Sequence, residues 1–420
     1  MRINAMNNAE AVPGPLWTRD FTILTLGSVV SMLGSTLSSF AMDLMVLDAT
    51  GSTGLFALYG ILFFLPNALA PVLAGPLLDR FSRKKTIYTL DFITAGLFAA
   101  LTLLLLTGWS PFPVLAAANF LLGGIAGVYT VAYDSFFPLL VTEGNFQKAY
   151  SVSSTLETLS VVMVPVSAFI YKTFGIVPLF LANTVTYLAA AVMETRIRTQ
   201  EHYSDKLEAA SPGLGRFWGD FRQGLDYLRG EKGLLAIAVY FLFSNLTGGM
   251  TGVVTLPYFR GAFPDGEYIY MLVWGSSSLA RFLGGLIHYR WKLPAECRFR
   301  VALLVYITLS LLEGTYLFVP VPGMMAMMFC FGLLGVTSYN IRLSSTQQYV
   351  PDEKKGRFNG VFGTLSTVGI LLGQALAGAL AGTLGERSMV VLANALCLAA
   401  AVIFIGGGKK HVGKIYNTQA

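Results

Sequence analysis

Charge is scarce in this chain: Asp, Glu, Lys and Arg make up 12% of its 420 residues, about half the roughly 25% typical of a soluble globular protein. So little charge cannot cover a water-exposed surface, and a mean hydropathy of +0.62 excludes a water-soluble globule. Cysteine and histidine are rare too, three of each. Cys297, Cys330 and Cys397 fall in or beside separate apolar runs without CxxC spacing. His202, His288 and His411 stand in polar stretches with no ligand partner at helical spacing, so neither a zinc site nor a disulfide framework is indicated. Also missing is the two-residue alternation of a membrane β-barrel. The longest polar stretch, 194–232, is too short for the soluble domain of a receptor. With no D-D-x-x-D cluster or surface histidine group, an integral-membrane enzyme is not indicated, and no metal or other cofactor is implied.

Apolar length is what the chain has. Runs at about 21–47, 54–78, 86–107, 112–137, 147–171, 175–193, 233–257, 268–288, 299–319, 323–342, 358–383 and 388–406 approach or exceed the roughly 20 residues that cross a bilayer core. The first exceeds a signal peptide's apolar region and reads as an uncleaved span. The 44 glycines suit close helix contact in lipid. An all-α membrane protein of twelve spans is expected, with a six-span half at 1–193, a linker at 194–232 and a second half at 233–420. The linker opens as a charged, mobile segment. Then Phe217, Trp218, Phe221, Leu225 and Leu228 recur at helical spacing, with Arg222, Asp226 and Arg229 on other faces. That is an amphipathic helix, lying on the membrane surface or packed on loops.

Basic residues orient the spans, because cytoplasmic loops retain Lys and Arg. With both termini in the cytoplasm, Lys172, Arg260 and Arg387 fall outside, Arg281 sits within a span, and the rest of the 29 bases fall inside. The net charge of +6 is then a topology signal and gives no reason to invoke nucleic acid. The halves also repeat at an offset of 209. Gly75 and Leu77 recur as Gly284 and Leu286, Val141 as Val350, and Thr155, Leu156 and Thr158 as Thr364, Leu365 and Thr367. Parallel repeats of this kind place a substrate site between the halves near the bilayer midplane.

Between the second and third spans stands Gly75-Pro76-Leu77-Leu78-Asp79-Arg80-Phe81-Ser82-Arg83-Lys84-Lys85. It resembles the G-x-L-x-D-R-x-x-R-K signature of the major facilitator superfamily. Further stretches at 137–150, at 350–360 and around Gly224-Leu225-Asp226-Tyr227 are similar to its macrolide-efflux branch and siderophore-exporting relatives. The resemblance implies a major facilitator fold and a gating role for Gly75, Asp79, Arg80, Arg83 and Lys84, with Asp79 contacting the eleventh span. It also implies an efflux transporter, multidrug in type and working by alternating access in the cell membrane, with a proton or another coupling ion as antiport partner. Two departures weaken the antiport expectation: Asn119 stands where the fourth-span arginine would be, and the fifth-span Gly-Pro motif survives only as Pro165.

Ionisable groups inside spans cost at least about 2.5 kcal/mol each and ask for a reason. Asp43, Glu157, Arg281 and Glu313 are the deeper candidates for coupling or substrate contact, with Asn119 and Asp134 as further candidates; Asp91 and Asp134 stand near cytoplasmic ends, where solvent or the loop bases would satisfy them. Glu157 and Arg281 are expected to pair across the halves. The overall expectation is a monomeric exporter of amphiphilic small molecules, with ion-coupled uptake of a metabolite and lipid translocation as the alternatives.

Overall fold

The computed structural model describes residues 14–418 apart from 79–80, 110, 143–144, 146–147, 150–151, 154–155, 157–162, 200, 202–213 and 291–292. Spans 1 to 4 are Arg19–Thr50, Thr53–Leu78, Arg83–Leu106 and Phe112–Leu140. Span 5 is described at Met163–Phe174, and span 6 is Val177–Glu194. The second half holds Lys232–Ala262, Gly266–Arg290, Arg298–Thr315, Val321–Tyr349, Asp352–Leu384 and Glu386–Ala400, the last widening into a π-helix at Ala401–Gly406. Ten of these are long and apolar enough to cross a membrane. The other two are span 5, with 12 described residues, and span 8, made more polar by Ser276–Ser278 and Arg281.

Local chemistry sets the ends. Thr18 accepts from the Phe21 N–H at 3.2 Å to cap span 1, and Ser82 accepts from Lys85 at 3.1 Å to cap span 3. Pro111, Pro320 and Pro351 start spans 4, 10 and 11, where their missing N–H costs nothing. Span 1 stops at Gly51, whose φ of 58° lets its N–H return to the Leu47 carbonyl. Spans 10 and 11 outrun their expected apolar limits because polar turns continue each helix beyond its apolar run. The repeat is exact in places: adding 209 to span 4 (112–140) gives 321–349, the bounds of span 10.

Span 4 lies against span 2 and span 10 against span 8, in both cases at a glycine. A Cβ on Gly123 would stand 2.2 Å from the Phe63 carbonyl oxygen, and one on Gly332 would stand 2.2 Å from that of Ser277. Such contacts replace the hydrophobic drive that lipid cannot supply. Leu103, Leu106, Leu304 and Ile403 remain exposed, as lipid-facing positions require.

Both described termini lie at one end of the bundle. Asn145 Nδ2 donates to the Gly14 carbonyl at 2.6 Å below span 4, and the C-terminal helix Lys409–Tyr416 is anchored by a Tyr306–Tyr416 hydroxyl pair at 2.8 Å. The linker differs from expectation. Its opening is tied down: Asp20 accepts from the N–H of Arg198 (3.0 Å) and of Thr199 (2.7 Å). Glu201 accepts from Ser82 Oγ (2.7 Å) and from the N–H of Arg83 (2.8 Å) and Lys84 (3.1 Å), placing its charge at the positive end of span 3. The amphipathic helix, Leu214–Gly230, packs on span 11, where a Cβ on Gly224 would meet the Arg357 carbonyl at 2.8 Å and Leu228 is buried.

Candidate functional site

The two halves are clamped at the end away from the termini. Lys172 of span 5 pairs with Asp265 (3.1 Å) and with Glu267 at the start of span 8 (2.7 Å). Asp48, near the end of span 1, pairs with Arg260 of span 7 and accepts from the Tyr171 hydroxyl at 2.5 Å. Phe40 of span 1 stacks on Tyr270 of span 8 with centroids 6.4 Å apart, and within the second half Arg387 donates to the Tyr258 hydroxyl at 2.6 Å at the same end. The ion pairs Lys172–Asp265, Lys172–Glu267 and Arg260–Asp48, which join the halves, lie at this end. Its three bases, Lys172, Arg260 and Arg387, are the three that the charge distribution set apart from the rest.

Below the clamp each half carries a cavity. The one in the second half, about 420 Å³, is walled by hydroxyls and aromatics, among them Thr251, Tyr270, Trp274 and Phe331, and holds Arg281 and Glu313. Glu313 is buried, lies against Thr251 and Asn394, and is within electrostatic reach of Arg281. The first-half cavity, about 340 Å³, is lined by Ser31, Ser35, Asp91, Tyr129, Tyr133 and Tyr187, with Ser35 bonded to Tyr187 at 2.6 Å.

The sequence candidates scatter over this frame. Asp43 is half-buried just below the clamp, within electrostatic reach of Tyr59 and Tyr270. Asn119 is buried and donates to the Tyr59 carbonyl at 2.8 Å, a clasp between spans 4 and 2. Asp134 is exposed on span 4 beside Tyr133. Arg281 and Glu313, from spans 8 and 9, share one cavity; the partner expected for Arg281, Glu157, lies outside the described residues, as do Asp79 and Arg80 of the loop motif. Gly75 falls within span 2. Arg83 opens span 3 and reaches the Ser135 carbonyl of span 4 at 3.5 Å, and Lys84 Nζ donates to the Ile197 carbonyl at 3.1 Å.

Sequence reasoning passed over Glu194 and gave Asp91 little weight. Glu194 was assigned to the linker, yet it ends span 6 fully buried; Asp91 is 1% exposed, with no loop base against it among the described residues. A signal existed. Asn183, Tyr187 and Glu194 fall on one face of span 6, and Gly27 and Gly34 of span 1, seven residues apart, pack on Glu194 and Asn183.

Residues 24–374 match the Major Facilitator Superfamily. Macrolide efflux protein A of Streptococcus pyogenes is 22% identical over 400 residues, covering 92% of this chain and 95% of that protein. The uncharacterized MFS-type transporter YvqJ of Bacillus subtilis is 23% identical over 386 residues, covering 90% and 89%. Among solved structures, a bacterial homologue of the iron transporter ferroportin in its inward-facing state superposes with a TM-score of 0.67 at 15% identity, covering 96% of this chain and 99% of that one. The nucleoside transporter NupG gives 0.61 at 11%, covering 92% and 98%. The family match spans most of the twelve-helix frame and its likeness to solved transporters extends over nearly all of it: the chain is a transporter of the major facilitator superfamily and not an enzyme.

Proposed function

We propose that this transporter exports amphiphilic small molecules of the macrolide kind from a bacterial cell, across the plasma membrane, by rocking its two halves about the central cavities. The observation that carries the reading is the similarity to macrolide efflux protein A, which runs through both halves and the linker. The cavity walls support it: hydroxyls, tyrosines, one arginine and two buried acids suit a large ligand with an apolar body and scattered polar groups. Because Lys and Arg concentrate at the end that carries the termini, that end is assigned to the cytoplasm. The clamped end is then extracellular, and the structure is the inward-facing stage of the cycle. The units are the halves 1–193 and 233–420, joined by the linker 194–232 and acting as a monomer, with the proton as coupling ion.

The test is drug efflux from cells stripped of their own exporters. Cells expressing the protein, preloaded with a radiolabelled macrolide, are expected to lose label several-fold faster than cells carrying an empty vector. Loss no faster than from empty-vector cells across a panel of macrolides and lipophilic dyes, or faster entry, would overturn the reading. The orientation is read separately by an impermeant thiol reagent on Asp205→Cys, which should stay unlabelled in intact cells.

A further inference from the structure

Asp91 and Glu194 meet at the edge of the first-half cavity. Both are buried, at 1% and 0% exposure, and their carboxyl groups lie in hydrogen-bonding contact. An ionised carboxyl group only accepts hydrogen bonds, so this contact becomes a bond only when one of the two carries a proton. Nothing else offers one: among the described residues, Asp91 Oδ2 and both Glu194 oxygens lack a donor, and no cationic side chain faces the pair.

The surroundings leave the pair to the cavity. Span 4 presents Tyr129 and Tyr133, with Asp134 beyond Tyr133, and span 6 presents Tyr187. Span 1 presents no titratable group here, only Thr25, Ser28 and Gly27, where a Cβ would stand 3.1 Å from Glu194 Oε1. Span 5 adds Ser153, and its Glu157 lies outside the described residues. Thr25 Oγ1, 95% buried on the cavity wall that also holds Asp91, has no hydrogen-bond partner among the described residues. A carboxyl pair with no counter-ion among the described residues, next to an unpartnered hydroxyl on the wall of an open cavity, is arranged to take up and release a small positive charge.

We infer that Asp91 and Glu194 form the proton-carrying site of this transporter, and that the cargo competing with the proton is an amphiphile bearing a positive charge. The inference rests on the efflux reading and deepens it. With one shared proton the pair carries a single negative charge. Losing that proton to cavity water leaves two adjacent buried negative charges, a state too costly to persist uncompensated. A cation in the same cavity supplies the compensation, so cargo binding expels the proton and proton binding expels the cargo, which is the exchange that antiport requires.

The experiment uses the full-length protein in detergent with tetraphenylphosphonium, a permanent lipophilic cation with no proton of its own. In weakly buffered solution, wild type is expected to release close to one proton per cation bound. Asp91→Asn and Glu194→Gln are expected to bind the cation with release cut at least five-fold. Undiminished release from both variants would overturn the site. Infrared difference spectra over a pH titration need no cargo: wild type should show a protonated-carboxyl C=O band that vanishes at alkaline pH and is absent from each variant. A band that survives in both variants, or responds to sodium and not to pH, would also overturn the site. Failure to bind tetraphenylphosphonium with the infrared result intact would strike the cationic-cargo reading alone. Circular dichroism and monodisperse elution check each variant's fold, and the pair gives two independent substitutions should one misfold.

Discussion

Replacing Lys172 by Gln should loosen the clamp and move the protein toward its other state. Lys172 lies 2.7 Å from Glu267, and the two side chains are 34% and 9% exposed. Exposed ion pairs contribute about 0–1 kcal/mol and hydrogen bonds to charged groups about 1.5–3, so a half-sheltered pair falls at about 1–2 kcal/mol. Since about 1.4 kcal/mol is tenfold, the ratio of clamped to open protein should fall about five- to thirty-fold. The assay is a spin–spin distance distribution between labels on Thr107→Cys and Thr383→Cys, exposed positions at this end of opposite halves, in a background lacking Cys297, Cys330 and Cys397. Lys172→Gln should add a longer-distance population, and the swap Lys172→Glu with Glu267→Lys should restore the short one. A distribution unchanged by Lys172→Gln, or unimproved by the swap, would refute the clamp.

The other predictions follow from the same geometry. Arg260→Gln should loosen the clamp less, about two- to five-fold, because its partner Asp48 is 41% exposed; the same labels read it. Gly123→Leu should destabilise the first half by about 3 kcal/mol or more, since the Phe63 backbone cannot yield, and the measure is the thermal midpoint of the purified protein. Glu201→Gln keeps the shape but removes the charge that three donors share at the start of span 3, and should cost about 1 kcal/mol in the same assay. Arg281→Gln should raise efflux of cationic dyes relative to anionic ones at least two-fold, because it strips the fixed positive charge from the second-half cavity.

Much of the frame was readable because a bilayer leaves few choices. Backbone groups in lipid must be satisfied within a helix, so apolar runs announce helices, and the 209-residue offset announces two copies. The bases at the clamped end, Lys172 and Arg260 in the clamp and Arg387 beside it, were separable by their place in the topology, although nothing in sequence paired Lys172 with Glu267. Helix ends were less legible: spans 10 and 11 continue through polar turns that hydropathy counts as loop. The acid pair was hidden for a related reason. Glu194 sits at the polar end of a span, where a carboxylate is ordinarily hydrated, and only the fold of span 6 against spans 1 and 3 removes it from water. Arg281 and Glu313 were each suspect on cost, but their sharing of one cavity depends on helix rotation, which the second half's irregular polar positions do not fix.

The central claim is gradient-driven export, and everted membrane vesicles test it most directly. When respiration acidifies the vesicle interior, vesicles containing the protein should accumulate a radiolabelled macrolide several-fold above vesicles without it, and a protonophore should abolish the difference. Accumulation that ignores the protonophore, or macrolide movement seen only into right-side-out vesicles, would contradict the account.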